Sequence, residues 1–265
     1  MSFILLRLAL AEALLLAVAP TFAQSAPPVA AYSGPRYPGG PDSLRALVGR
    51  STRTTIPAPA GKMLVQFELQ PDGKPYRFSL VTPPVPLNKP LLEADARALP
   101  HLESNMAPWQ PIAPSTPPLP EKYRKINLVF DFALPLATQP NYYADQNPVF
   151  PNLDIMAASR SKKPPRGTTE GSTKNLIAGI QKHSRYPSVS LRENQQGTVY
   201  AYFEVAENGA IEHREVLGTE GTIGTELRSE VLRVMELLPA ATTPATVIGR
   251  PVRVYYALPI TFKIQ

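Results

Sequence analysis

The chain has 265 residues, 43% of them hydrophobic, with 32 prolines, no cysteine and a formal net charge of +6. That length suits two domains of ordinary size, and a proline content far above the usual ~5% predicts rigid joints and irregular connections. The missing cysteine excludes disulfides, cysteine metal sites and an N-terminal lipid anchor, and the scattered basic residues form no basic–aromatic strip, so nucleic acid is not expected as a partner.

Residues 1–23 read as a signal peptide: Arg7, an apolar run from Leu8 to Ala19 interrupted by Glu12, then Pro20 and the small-residue pattern Thr21-Phe22-Ala23. Cleavage after Ala23 leaves no membrane span and sends the protein to the periplasm; left uncut, the same stretch would anchor it in the inner membrane. Residues 24–35 are a Pro/Ala/Ser tail expected to be disordered.

A first unit is expected over 36–136. Pro41–Gly49 predicts a short helix capped by Asp42 or Ser43, with Leu44, Leu47 and Val48 on one face. Lys62–Leu69 alternates as a half-buried strand: Met63, Val65, Phe67 and Leu69 point inward, and Lys62, Gln66 and Glu68 outward. Asp72-Gly73 makes the turn, and Tyr76, Phe78 and Leu80 alternate back. A helix from about Leu91 carries Asp95, Ala98, Leu99 and Leu102, and should kink or split at Pro100. A strand with Ile126, Leu128, Phe130, Phe132 and Leu134 on one face closes the unit.

Residues 137–171 read as a linker, with Phe150-Pro151 docked onto the second unit, expected over 172–265. There Ser172 or Thr173 caps a helix with Leu176, Ile177 and Ile180, ended by Tyr186-Pro187. Val199, Ala201, Phe203 and Val205 face inward on a strand, Asn208-Gly209 turns it, and Ile211–Leu217 returns with a bulge. A second helix from Thr225 carries Leu227, Val231, Val234 and Leu238, and the last strand alternates without a gap from Val252 to Ile264. Both units follow one order: helix, hairpin, helix, strand. The predicted class is α+β, two tandem small domains, each a three-stranded antiparallel sheet with two helices on one face. The stretch Phe203-Glu-Val-Ala-Glu-Asn-Gly209 echoes Phe67-Glu-Leu-Gln-Pro-Asp-Gly73, 136 positions upstream, which points to a duplication.

These residues resemble the TonB C-terminal domain family. Tyr186-Pro187, Gly197-Thr-Val-Tyr, Phe203 to Gly209, the helix ending at Leu238-Pro239, Gly249-Arg-Pro-Val-Arg and Leu258-Pro259-Ile260-Thr-Phe262 carry the resemblance in order. The first unit is similar but more divergent. Its Tyr37-Pro38-Gly39-Gly40 resembles a motif found before this domain in the Bacteroidetes branch of the family, and Gly61, Phe67, Asp72-Gly73 and Met106-Ala-Pro-Trp109 follow. The resemblance implies a periplasmic module that binds an outer-membrane TonB-dependent receptor, or another envelope protein, by pairing an edge strand with an extended segment.

No catalytic set is expected, and no cofactor or metal. His101, His183 and His213 fall in different elements. Gly218, Gly221 and Gly224 lack the Gly-Lys-Ser/Thr of a phosphate loop and read as a flexible connection. The expected partner edge is the last strand at Arg250, Val252, Arg253, Val254, Tyr255, Tyr256 and Ala257, ahead of Pro259, which points to a sheet edge or a bulge. The competing expectation is a structural envelope protein that dimerises through its TonB-like domains.

Overall fold

The computed structural model describes residues 31–52, 59–81, 83, 88–110, 125–151 and 173–264. The expected signal peptide lies outside them, as does most of the expected tail; no helix among the described residues is long and apolar enough to cross a membrane. From Ala31 onward the tail is packed rather than loose: Ala31 bridges Gln146 and Tyr32 stacks on Tyr143, with ring centroids 4.9 Å apart.

In the first unit, α1 (Gly40–Thr52) starts ahead of the expected cap, so Asp42 sits in its first turn and pairs with Arg45. The strands β1 (Lys62–Leu69) and β2 (Pro75–Leu80) make the hairpin at Asp72-Gly73, where the Asp72 carboxylate accepts the Lys74 N–H at 3.0 Å. The helix α2 (Lys89–Asn105) is capped by Asn88, whose Oδ1 accepts the Leu91 N–H at 3.2 Å. It runs through Pro100 without splitting. Burial of Leu91, Ala94, Ala98 and Leu102 on one face holds the helix together across the lost hydrogen bond. The strand β3 (Lys125–Asp131) stops short of Phe132 and Leu134 because Asp131 turns the chain, its carboxylate accepting the Ala133 N–H at 2.8 Å. Trp109 fills the centre of this core between Tyr37 and Phe67.

The second unit contains α3 (Thr173–His183), a short α4 (Ser188–Arg192), β4 (Gly197–Val205), β5 (Ile211–Gly221) and α5 (Thr225–Glu236). A small hairpin, β6 (Thr246–Val247) with β7 (Arg250–Pro251), and then β8 (Val254–Phe262) complete it. The expected α3 cap, Ser172 or the Thr173 side chain, lies outside what is described. Two expectations change here. The return strand β5 takes in Gly218 and Gly221, so half of the glycine-rich stretch is ladder, not a flexible connection. A side chain at Gly221 would sit 2.6 Å from the Gln196 carbonyl, which is why glycine stands there. The last strand is shorter than its alternation because Arg250-Pro251 pairs with Thr246-Val247 and the Val252 N–H donates to the Ala245 carbonyl.

The sheets are ordered β2-β1-β3 and β5-β4-β8, all neighbours antiparallel. Their irregularities also correspond. In the first sheet Phe67 stands opposite the break between Ser79 and Tyr76, and in the second Phe203 stands opposite the break between Glu215 and Glu212. Arg77 and His213, within these bulges, have φ of 53° and 51°, and Gly61, Gly73, Gly197 and Gly209 also have positive φ. Each pair is separated by the same 136 positions as the Phe67 and Phe203 motifs.

The outer faces of the two sheets pack on each other, giving layers of helices, sheet, sheet and helices. Leu64, Val81 and Val129 meet Tyr200, Tyr202, Leu217 and Tyr255 in this middle layer. Strand β1 is therefore buried on both faces, and the outward Lys62 and Gln66 point into protein, not water. Gln66 is satisfied there: its amide donates to Asn127 at 2.7 Å and accepts the Tyr200 hydroxyl at 3.3 Å. Lys62 pairs with Asp131 in its own unit and with Glu215 across the layer. Burial lowers the Lys62 pKa, but the Glu215 and Asp131 carboxylates outweigh it and the net shift is upward.

Candidate functional site

The edge strand β8 is set by Pro259. Proline has no N–H to give a ladder, so its nitrogen must face away from β4, and alternation turns the other odd-numbered residues of β8 outward too. The inner side chains Val254, Tyr256, Leu258, Ile260 and Phe262 pack on the helices; Tyr256 stacks on Phe203 with centroids 5.3 Å apart.

That outer edge is only partly open. Asn141, from the connection between the units, lies parallel to β8: its N–H donates to the Arg253 carbonyl at 2.9 Å and its carbonyl accepts the Tyr255 N–H at 3.1 Å. The Ala257 carbonyl accepts the Asn127 side-chain N–H at 3.0 Å. The connection is pinned further along, where Gln146 bridges Thr246, Val149 bridges Thr243 and Phe150 is buried in the second core. From the Ala257 N–H to Lys263 no backbone partner covers the edge among the described residues.

The expected stretch Arg250–Ala257 therefore divides. Arg250 is exposed in β7, and Val252 lies between the strands. Arg253 is held by Glu204 at 2.9 Å and Glu212 at 2.7 Å; burial lowers its pKa, but the two carboxylates raise it further. The net direction is up. Val254 and Tyr256 point into the core, while Tyr255 is buried between the sheets, its hydroxyl accepting the Val129 N–H at 2.9 Å. Burial pushes the Tyr255 pKa well up. The Ala257 N–H faces outward with no backbone partner among the described residues.

Beside the open half of β8 runs a groove of about 730 Å³ against α3. Ile177, Ile180, Tyr186, Ile260 and Phe262 supply its apolar wall, and Arg185 and Lys263 are its charged residues. Sequence reading missed Thr261, Lys263 and this helix wall. The parity set by Pro259 was the signal for Thr261 and Lys263; nothing in the chain near Asn141 announced that it would cover the other half.

Residues 182–264 match the family described as the Gram-negative bacterial TonB protein C-terminal. The second unit belongs to the TonB C-terminal domain family. The match covers about a third of the chain. TonB C-terminal domains are non-catalytic modules of the cell envelope whose partners are outer-membrane receptors. Among solved structures, the chain is similar to the Helicobacter pylori TonB C-terminal domain (residues 179–285, in solution), at 16% identity over 43% of this chain and 94% of that one, with a TM-score of 0.29. It is similar also to a shorter form of that domain (residues 194–285), at 17% identity over 34% of this chain and 90% of that one, with a TM-score of 0.26. Superpositions that loose carry no weight, and the fold rests on the strand order above. No curated protein matches the chain.

Proposed function

We propose that the chain is an exported, periplasmic TonB-like adaptor that binds an extended segment of an outer-membrane receptor on the open half of β8, from Ala257 to Lys263. The observation that carries this reading is the free outward edge beside the α3 groove: backbone bonds supply affinity there and the groove sorts side chains. The rest of the expected stretch, Arg250 to Tyr256, supports the edge without pairing with the partner: Arg250-Pro251 pairs in the β6–β7 hairpin, and Asn141 occupies the Arg253 carbonyl and the Tyr255 N–H.

The first unit is read as a divergent copy of the second. In support are the equivalent strand order, the equivalent bulges and the constant spacing of the positive-φ positions. Its own matching edge, β3, is closed. The Val129 N–H is taken by Tyr255, and Gln139 accepts the Asp131 N–H at 3.1 Å while its amide donates to the Asp131 carbonyl. One chain thus takes one partner strand, and the first unit braces the second.

The test is an amide-shift titration of the full chain with a peptide from a cognate receptor plug. Shifts are expected at Ala257, Thr261 and Lys263, one peptide per chain, and lost in Thr261→Pro, which deletes an outward donor at a position where the ladder to β4 does not use it. Shifts absent from this edge sink the proposal. So does a Thr261 amide already protected from exchange in a dimer, which would favour the structural role instead.

A further inference from the structure

The hairpin β6–β7 closes on Val247-Ile248-Gly249-Arg250. Ile248 and Gly249 have φ of 50° and 74°, the two positive values of a type I′ turn. Asn, Asp or Gly adopt the first of these readily and a β-branched residue does not. Ile248 is also 89% exposed, the most exposed large hydrophobic among the described residues. The tip is clamped from behind: the Ile248 N–H donates to Asp145 at 3.0 Å, Asp145 pairs with Arg36 at 2.7 Å, and Gln146 bridges Thr246. A backbone that disfavours isoleucine, held rigid, displays an apolar side chain to water. That is the form of a pre-organised contact residue.

Beside the tip opens a cleft of about 860 Å³ between the hairpin, the start of α1 and the connection near Gln139, a size common among ligand sites. Three arginines line it. Arg45 is engaged by Asp42, and Arg253 by Glu204 and Glu212, whereas Arg250 is exposed and has no ion-pair partner among the described residues. Glu207, on the β4–β5 turn, is the other carboxylate in the lining besides Asp42. The cleft thus offers a free guanidinium beside an apolar knob, at the opposite end of β8 from the α3 groove.

We propose that this tip and cleft are a second contact site, for an acidic, extended peptide segment of a partner protein. Its carboxylate takes the fork of Arg250 and its neighbouring apolar side chain packs on Ile248 and Val252. The site does not depend on strand pairing at β8.

Two capped hexapeptides test it, one alternating Asp with Val and one alternating Lys with Val, titrated into the full chain while amide shifts are followed. The Asp peptide is expected to bind in the millimolar range and move Ile248, Gly249 and Arg250, with affinity about tenfold weaker for the Lys peptide and for Arg250→Glu. Ile248→Asn suits the turn, so it should raise Tm by a few degrees while weakening the Asp peptide severalfold, a loss that unfolding does not explain. No shift at the tip, equal shifts from the Lys peptide, shifts confined to Thr261 and Lys263, or undiminished binding by Ile248→Asn would each overturn the proposal.

Discussion

Asp95 lies on α2 with 2% of its surface exposed, and one carboxylate oxygen has no hydrogen-bond partner. Burial lifts its pKa from 3.8 to about 7. Unfolded, the group loses its proton near pH 4; folded, it keeps the proton until about pH 7. The native state therefore binds more protons across that window, and stability falls as pH rises through it. Below the window both states are protonated and nothing is lost. Above it the full penalty applies, roughly 4 kcal/mol at 1.36 kcal/mol per pKa unit, and less if the site relaxes or admits water. Asp95→Asn removes the charge and keeps the shape. Urea unfolding of both proteins, followed by the fluorescence of Trp109 in the same core, reads the effect directly, since the chain has one tryptophan. The variant should match wild type near pH 4 and exceed it by about 2–4 kcal/mol at pH 8, the gap opening between the two. Other groups titrate in this range, but their contribution cancels in the difference. A difference that stays flat from pH 4 to 8 refutes the reasoning.

Gly73→Ala should destabilise by on the order of 3 kcal/mol, because φ is +84° and a Cβ would lie 1.8 Å from the Trp109 carbonyl; Gly209→Ala, 2.4 Å from the Ala241 carbonyl, should do much the same. A loss under about 1 kcal/mol in denaturant unfolding would contradict both. Tyr255→Phe strands the Val129 N–H inside the inter-sheet layer and should cost about 1–3 kcal/mol, with faster exchange of the Val129 amide as the local sign. Arg253→Ala leaves the buried Glu204 carboxylate with only the Tyr202 hydroxyl, 2.7 Å away, and should cost about 2–3 kcal/mol at neutral pH; recovery in Arg253→Ala with Glu204→Gln is the check. Ile248→Asn should stabilise the fold by roughly 1 kcal/mol, and thermal unfolding below wild type would show that the turn is not strained.

Periodicity by itself determined the elements and their order. The alternation in Lys62–Leu69 and Val199–Val205, the Asp-Gly and Asn-Gly turns, and the spacing of Leu227, Val231 and Val234 each describe a local surface that must be buried on one side. Pro259 marked the edge strand for a local reason too, the missing donor. The stacking of the two sheets was not visible in this way, although one trace of it was present. Tyr200 and Tyr202 interleave with Val199, Ala201 and Phe203, a strand apolar on both faces, as a strand buried on both sides requires. Only the tertiary structure decided what covers those tyrosines, that Asn141 closes half of the β8 edge, that Asp95 is sealed from water and that Arg250-Pro251 leaves the last strand for a hairpin. Each depends on contacts between residues far apart in the chain, and a backbone group at an edge carries no mark in the sequence of which distant partner will reach it first.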